Sequence, residues 1–174
     1  MRTVAFDIDG VLCDLHTPWL KRYNYAYDDD LEFEDIRDWD WAKFTKCDDV
    51  CRLLDPSIYD ESAAVPGALE AVRVARTYGR VVFATGPMPK RVPCKFDWLA
   101  KNGFEPRNED YIECDDKSLV RADLLVDDYP KNLYRFCGAA ILFSRPWNRD
   151  AEDLHRIESF DDFDRHLDLQ LATR

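Results

Sequence analysis

Short β-prone apolar runs alternate with helical patterns along most of this chain, and that alternation restricts the fold more than any other feature. The runs are TVAFDI (residues 3–8), RVVFAT (80–85), ADLLVDD (122–128) and GAAILF (138–143), with YIE (111–113) as a shorter one. Each is too short for a helix, and its unbroken apolar character fits a strand buried on both faces. Between them, VPGALEAVRVARTYG carries Pro66 near its start, apolar Leu69, Val72, Val74 and Ala75 at helical spacing, and Gly79 as a stop. CKFDWLAKNG reads as a second helix, closed by Gly103. Strands that alternate with helices predict an α/β core: three layers around a parallel sheet, with the ligand crevice at the carboxyl ends of the strands.

The predicted core is Rossmann-like and is interrupted once. Residues 15–65 lack the alternation, hold Trp19, Trp39 and Trp41, and include the acidic run DDDLEFED. They read as a small, mainly helical cap inserted after the first strand, which divides the chain into a core of residues 1–14 and 66–174 and a cap of residues 15–65. A length of 174 residues suits one domain with such an insertion. The acidic run itself reads as a solvated face.

A net charge of −11 is the opposite of the basic footprint that a nucleic-acid polymer requires. A small phosphorylated ligand stays compatible, because one metal ion and a few lysines reverse the local sign. The cysteines Cys13, Cys47, Cys51, Cys94, Cys114 and Cys137 form no CxxC pair. Cys47 and Cys51 have the spacing to share a helix face, but nothing completes a zinc set, and the thiols read as reduced and structural. The first strand begins at once, which argues against a signal peptide, and no apolar run reaches the roughly 20 residues of a membrane span. A soluble, cytoplasmic protein without a membrane partner is expected.

The strand ends carry the chemistry. TVAFDI runs into Asp7, Ile8, Asp9 and Gly10; RVVFAT ends in Thr85 and Gly86; ADLLVDD ends in Asp127 and Asp128, with Lys117 shortly before it. In a parallel sheet all of these meet at one rim. Paired carboxylates at the end of a buried strand repel and lose hydration unless something compensates. A hard cation such as Mg²⁺ takes carboxylate oxygens, water and substrate phosphate, and answers that repulsion. On an extended segment residues i and i+2 point the same way, so Asp7 and Asp9 can reach one phosphoryl group. One carboxylate can attack phosphorus while the other handles the proton. Thr85 can donate to phosphate oxygens, and Lys117 can neutralise charge on the transferring group.

In this order, DIDGV, ATG, Lys117 and LLVDD resemble the four motifs of the haloacid dehalogenase superfamily of phosphotransferases. The resemblance implies Asp7 as nucleophile and Asp9 as general acid and base. It also implies Mg²⁺ held by Asp7, the backbone carbonyl of Asp9 and Asp128 with Asp127 in support, and phosphoryl binding by Thr85 and Lys117. More narrowly, VPGALEAV, ATGP, CKFDWL, DDKSLVRADLLVDDYP and AILFSRPWN look like the 5'(3')-deoxyribonucleotidase family, the cytosolic type C nucleotidases. That likeness points to Lys95 as a further phosphate contact. It implies a cap whose aromatics hold the base, here Trp19, Trp39, Trp41 and Phe44 taken as a group. Gly86 stands where the family often has serine, and the connection from Thr85 to Lys95 looks shorter.

The expected function is thus hydrolysis of nucleoside monophosphates through an aspartyl phosphate, with a small nucleotide as partner. The same chemistry on another phosphomonoester, such as a sugar phosphate, is the nearest alternative. A phosphoacceptor signalling domain gathers similar residues, but in a different order: there the lysine comes last, whereas Lys117 precedes Asp127 and Asp128 here. His16, His155 and His166 show no partner pattern and read as structural or exposed.

Overall fold

The computed structural model describes residues 2–46, 49–87 and 93–172. Its frame is a six-stranded, wholly parallel sheet, built in chain order from β1 (Arg2–Phe6), β4 (Gly79–Thr85), β5 (Tyr111–Glu113), β6 (Leu124–Asp127), β7 (Ala139–Phe143) and β8 (His155–Ile157). The intervening numbers belong to a two-stranded antiparallel ribbon, β2 (Cys13–Asp14) with β3 (Ala63–Ala64), which pairs Cys13 with Ala64 and Asp14 with Ala63. The helices are α1 (His16–Tyr27), α2 (Ile58–Glu61), α3 (Ala68–Tyr78), α4 (Cys94–Lys101), α5 (Pro130–Arg135) and α6 (Phe163–Ala172).

Spatial order in the sheet is β5-β4-β1-β6-β7-β8. The chain leaves β1 to build one wing through β4 and β5, then returns to build the other from β6 outward. The strand order reverses beside β1, where an open α/β sheet leaves a crevice at its carboxyl ends. Register levels the functional segments: Phe6 pairs with Phe83 and with Val126, so Asp7 follows β1 at the height where Asp127 ends β6. The amide of Asp7 continues the ladder by donating to the Val126 carbonyl at 2.9 Å.

Both faces of the sheet are buried, which is why its strands read as continuous apolar runs. Val4, Phe6, Val81, Phe83, Leu124, Val126, Ile141 and Phe143 belong to the larger apolar cluster, with Ala68, Val72 and Ala75 of α3, Trp98 and Leu99 of α4, and Phe163, Leu167 and Leu171 of α6. Ala5, Val82, Ala84, Leu125 and Leu142 face the other way, onto Val120, Leu133 of α5 and Phe136. Gly79 both caps α3 and opens β4; a Cβ there would stand 2.0 Å from the Arg2 carbonyl oxygen, so only glycine lets the two backbones approach.

Two elements lie beyond the sequence reading, which ends the sheet at GAAILF. The sheet continues into β8, a three-residue edge strand of which only Ile157 is buried, too short and too polar to stand out as an apolar run. α6 follows, with Phe163, Leu167 and Leu171 at a spacing of four residues.

Among the described residues, the segment between β2 and β3 holds α1, the 3₁₀ turns Phe33–Asp35, Trp41–Lys43 and Val50–Leu53, and the short α2. It leaves and rejoins the sheet-bearing part through the β2–β3 ribbon. Among the described residues Cys13, Cys94, Cys114 and Cys137 form no disulfide. Cys47, and with it a shared helix face with Cys51, lies outside the described residues.

Candidate active site

A cavity of about 430 Å³ opens where the strand order reverses. Asp7, Asp9, Thr85, Gly86, Lys95 and Lys117 make its polar floor, and Leu15, His16, Trp19, Trp39, Trp41, Leu54 and Tyr129 contribute an apolar and aromatic wall.

The floor is built from two clamped carboxylates. Asp7 Oδ1 accepts from the amide of Ile8 at 2.7 Å and pairs with Lys117 Nζ at 2.9 Å. Lys117 lies in a 3₁₀ turn capped by the Asp116 carboxylate, which accepts from the Ser118 amide at 3.0 Å. Its ammonium, 3% exposed, is shared between Asp7 and Asp127 Oδ2 at 2.7 Å. Asp127 is tied down further: Oδ2 also accepts from Asn132 Nδ2 at 3.0 Å, and Oδ1 accepts from the amide of Tyr129 at 2.8 Å. Asp127 therefore orients the lysine rather than facing the cavity. The second clamp is Lys95, which pairs with Asp9 Oδ2 at 2.6 Å and donates to Thr85 Oγ1 at 3.0 Å and to the Gly86 carbonyl at 2.6 Å. α4 thus brings a cation onto the end of β4, and Gly86, without a side chain, contributes its carbonyl.

Burial sets the electrostatics. Desolvation pushes the Asp7 carboxyl up to about 6, against the pull of Lys117 and with the push of Asp127 and Asp9. Desolvation also raises Asp128, and the charges of Asp127 and Asp7 add to it. For Lys117 and Lys95 desolvation works downward but the neighbouring carboxylates outweigh it, so both ammonium groups stay above the usual lysine range.

Asp128 is the exception in this network. It is buried, yet among the described residues neither carboxylate oxygen has a hydrogen-bond partner. Its backbone carbonyl is fixed by Asn148 Nδ2 at 2.8 Å. Gly10, in the left-handed region at φ 78°, crowds it: a Cβ there would sit 2.2 Å from Asp128 Oδ2. Asp7, Asp127 and Asp128 each place a carboxylate oxygen within 4.8 Å of the others. An orphaned buried anion beside two more carboxylates fits a hard divalent cation such as Mg²⁺, whose ligands are oxygens.

The four aromatic residues singled out by sequence part company. Trp39 is 46% exposed and stacks on Tyr129 at 4.0 Å, joining the segment between β2 and β3 to the start of α5. Trp41 borders the cavity, edge-on to Trp19 at 4.6 Å. Trp19 is buried and stacked on Tyr23 at 5.3 Å, so most of its surface serves packing. Phe44 packs against the larger apolar cluster and is absent from the residues that line the cavity.

His16 and Tyr59 escape sequence reasoning, and Arg145 is from sequence a candidate for the pocket rim without an assigned role. The His16 ring borders the cavity between Trp41 (5.0 Å) and Trp147 (4.5 Å), and burial, helped by Arg145, pushes it down to about 3, so it is neutral near pH 7. Arg145 Nε donates to the Gly10 carbonyl at 2.8 Å. Tyr59 donates its hydroxyl to Asp9 Oδ1 at 2.8 Å. The sequence signal for His16 is proximity; Tyr59 and Arg145 are far from Asp9 and Gly10 along the chain. His155 and His166 form a hydrogen-bonded pair at 2.9 Å, on β8 and α6.

With this geometry in view, the chain can be set beside known proteins. The family model described as "5' nucleotidase, deoxy (Pyrimidine), cytosolic type C protein" matches residues 1–171. The chain is similar to the 5'(3')-deoxyribonucleotidase of Bacillus subtilis (strain 168), 28% identical over 169 residues, covering 95% of this chain and 98% of the relative. Among solved structures, a haloacid dehalogenase-like family hydrolase from Xanthomonas campestris aligns with a TM-score of 0.64 at 11% identity, over 99% of this chain and 93% of the other. The HAD-hydrolase YfnB from Bacillus subtilis, bound to magnesium, aligns at 0.62 with 12% identity, over 96% and 98%. At such identities the structural likeness is one of fold.

Proposed function

Because the chain belongs to the cytosolic type C 5'-nucleotidase family and is a phosphatase of the nucleotidase type, we propose that it hydrolyses deoxyribonucleoside monophosphates to nucleoside and phosphate through an aspartyl phosphate on Asp7. The observation that carries this reading is the floor of the cavity: two carboxylates, each clamped by its own buried lysine, beside the unpartnered Asp128.

In this mechanism the Asp7 carboxylate attacks phosphorus, while Lys117 offsets charge on the transferring group. Asp9, in its acid form, gives a proton to the departing nucleoside oxygen. Thr85 and Lys95 hold the phosphoryl oxygens. Water, losing its proton to the Asp9 carboxylate, then displaces Asp7 and releases phosphate. Mg²⁺ would be held by Asp7, Asp128 and the backbone carbonyl of Asp9, with Asp127 in support, and would neutralise the crowded negative charge of carboxylates and phosphate. Residues 15–65 act as a cap, and Trp39 and Trp41 supply flat faces for a base. The apolar wall favours an aromatic base over a polyhydroxylated sugar phosphate. Among the described residues, no helix is long and apolar enough to cross a membrane.

The test is phosphate release from deoxyribonucleoside and ribonucleoside 5'- and 3'-monophosphates, sugar phosphates and an aryl phosphate. Each is assayed with Mg²⁺, with chelator and with Asp7→Asn. Preferential turnover of deoxyribonucleotides, lost in both controls, is expected. Turnover confined to sugar or aryl phosphates would remove the nucleotide assignment, and an active Asp7→Asn enzyme would remove the nucleophile.

A further inference from the structure

Both oxygens of the Asp9 carboxylate have a dedicated donor. Lys95 holds Oδ2 at 2.6 Å, and the phenol of Tyr59 holds Oδ1 at 2.8 Å. The two come from different parts of the chain: Lys95 from α4, packed beneath the sheet, and Tyr59 from α2, in the segment between β2 and β3. Tyr59 is 4% exposed and does not line the cavity, so its hydroxyl points at Asp9 without facing a substrate.

The short α2 is held firmly for a four-residue helix. Arg22 of α1 donates to the Leu53 carbonyl at 3.3 Å, to Asp55 at 3.0 Å, to Ser57 Oγ at 2.8 Å and to Glu61 at 2.6 Å, gripping the turn before α2 and its last residue. From the other side, α4 reaches α2 through Trp98 Nε1 to the Ser62 carbonyl at 3.0 Å and Lys101 to Asp60 at 3.2 Å. α4 therefore carries one donor to Asp9 and braces the helix that carries the other.

Resting on the reading of Asp9 as acid and base, we infer that Tyr59 is a positioning residue that fixes the Asp9 carboxylate for the water-activating half of the reaction. In that step the water oxygen forms a bond to phosphorus and the bond from phosphorus to Asp7 breaks, its electron pair returning to the Asp7 carboxylate. The water's proton passes to Asp9, which then carries the proton needed by the next leaving group. In that step Asp9 accepts the proton as a carboxylate, and both donors are aimed at the oxygens of that carboxylate. Each carboxylate oxygen has a second lone-pair site, so both oxygens can be held and still receive a proton. Loss of the Tyr59 hydroxyl leaves Lys95 as the single side-chain tether seen on Asp9 among the described residues. The formation of the aspartyl phosphate uses Asp9 as an acid and is affected less than its hydrolysis.

The experiment is rapid-quench kinetics of the full chain with Mg²⁺ and an aryl phosphate, comparing wild type, Tyr59→Phe and Asp9→Asn. For Tyr59→Phe, kcat falls by about 10- to 100-fold, part of the roughly 10²–10⁴-fold that a positioned acid–base group contributes, and KM falls with it, because slowing the second step alone leaves kcat/KM within about twofold of wild type. The share of enzyme trapped as hydroxylamine-sensitive phosphoprotein in the steady state rises. A raised KM with unchanged kcat would make Tyr59 a binding residue and overturn the inference, as would kinetics equal to wild type. Asp9→Asn separates the two layers: full turnover in that variant defeats the acid–base reading, whereas its inactivity beside a fully active Tyr59→Phe defeats only the role of Tyr59. Should Tyr59→Phe fold poorly, replacement of Tyr59 by 4-aminophenylalanine keeps a donor on the ring. Recovered turnover there supports positioning, and its absence in a folded protein contradicts it.

Discussion

Asp128 is 1% exposed and, among the described residues, neither of its carboxylate oxygens is hydrogen-bonded; burial and the charges of Asp127 and Asp7 disfavour its ionised form, so without a cation it is a buried polar group with no hydrogen bond to offset its desolvation. Such a group destabilises the fold unless a cation binds. Asp128→Asn is therefore expected to raise stability in chelator by about 1–3 kcal/mol, or roughly 2–10 °C in Tm. The same substitution removes most of the additional stabilisation that Mg²⁺ gives the wild type. Thermal unfolding of both proteins with Mg²⁺ and with chelator measures the two effects; equal responses to Mg²⁺ would exclude Asp128 as a ligand. Residue by residue, the floor was legible in the sequence because most of its members sit at strand ends. Asp7, Asp9, Thr85, Asp127 and Asp128 follow from that rule, Lys117 from its place in the ordered motifs before Asp127, and Lys95 came through a likeness in CKFDWL. Tyr59 was not legible, since nothing in the local pattern of PSIYDES marks a tyrosine that bonds to Asp9.

At the scale of elements, aromatic contacts join the segment from β2 to β3 to the sheet-bearing part beside the hydrogen bonds that α2 makes to α4 and Asp9. Trp39 and Tyr129 stack across that boundary at the cavity wall. Trp39→Ala removes one face of the stack and is expected to raise KM for the preferred nucleotide about 2- to 12-fold, the equivalent of roughly 0.5–1.5 kcal/mol, with little change in Tm. A KM equal to wild type would show that the stack closes nothing that substrate feels. α6 makes the opposite case. Leu167 is fully buried beneath the sheet, so Leu167→Ala is expected to lose about 2–5 kcal/mol in urea unfolding and to leave kcat near wild type where the protein is folded. The long strands and α3 were readable because their apolar patterns run over several residues. β8 was not, because an edge strand of three residues buries a single side chain and is defined by its pairing with β7.

Over the whole molecule, the reversal of strand order beside β1 brings segments from both wings of the sheet to one crevice, and this lets an acidic chain concentrate two buried lysines there. The same burial gives the fold an acid sensitivity through His16. Its folded-state value is depressed by burial to about 3, below the ordinary 6.5, so its contribution is fully present above pH 6.5 and is lost progressively as pH falls toward 3. At pH 4.5 that amounts to about 2–3 kcal/mol. Urea unfolding of His16→Gln is expected to show a flatter decline between pH 6.5 and 4.5 than the wild type; parallel declines would mean that carboxylates alone set the acid limit. The sequence by itself determined the α/β class and the carboxyl-end cluster, because periodicity and strand ends are local properties of the chain. Which aromatics border the cavity, that Phe44 does not, and that Tyr59 and Lys95 grip the two oxygens of Asp9 were decided only by tertiary structure. Those contacts join residues distant in sequence, and they depend on how the segment between β2 and β3 packs against α4 and the sheet, which no local pattern encodes.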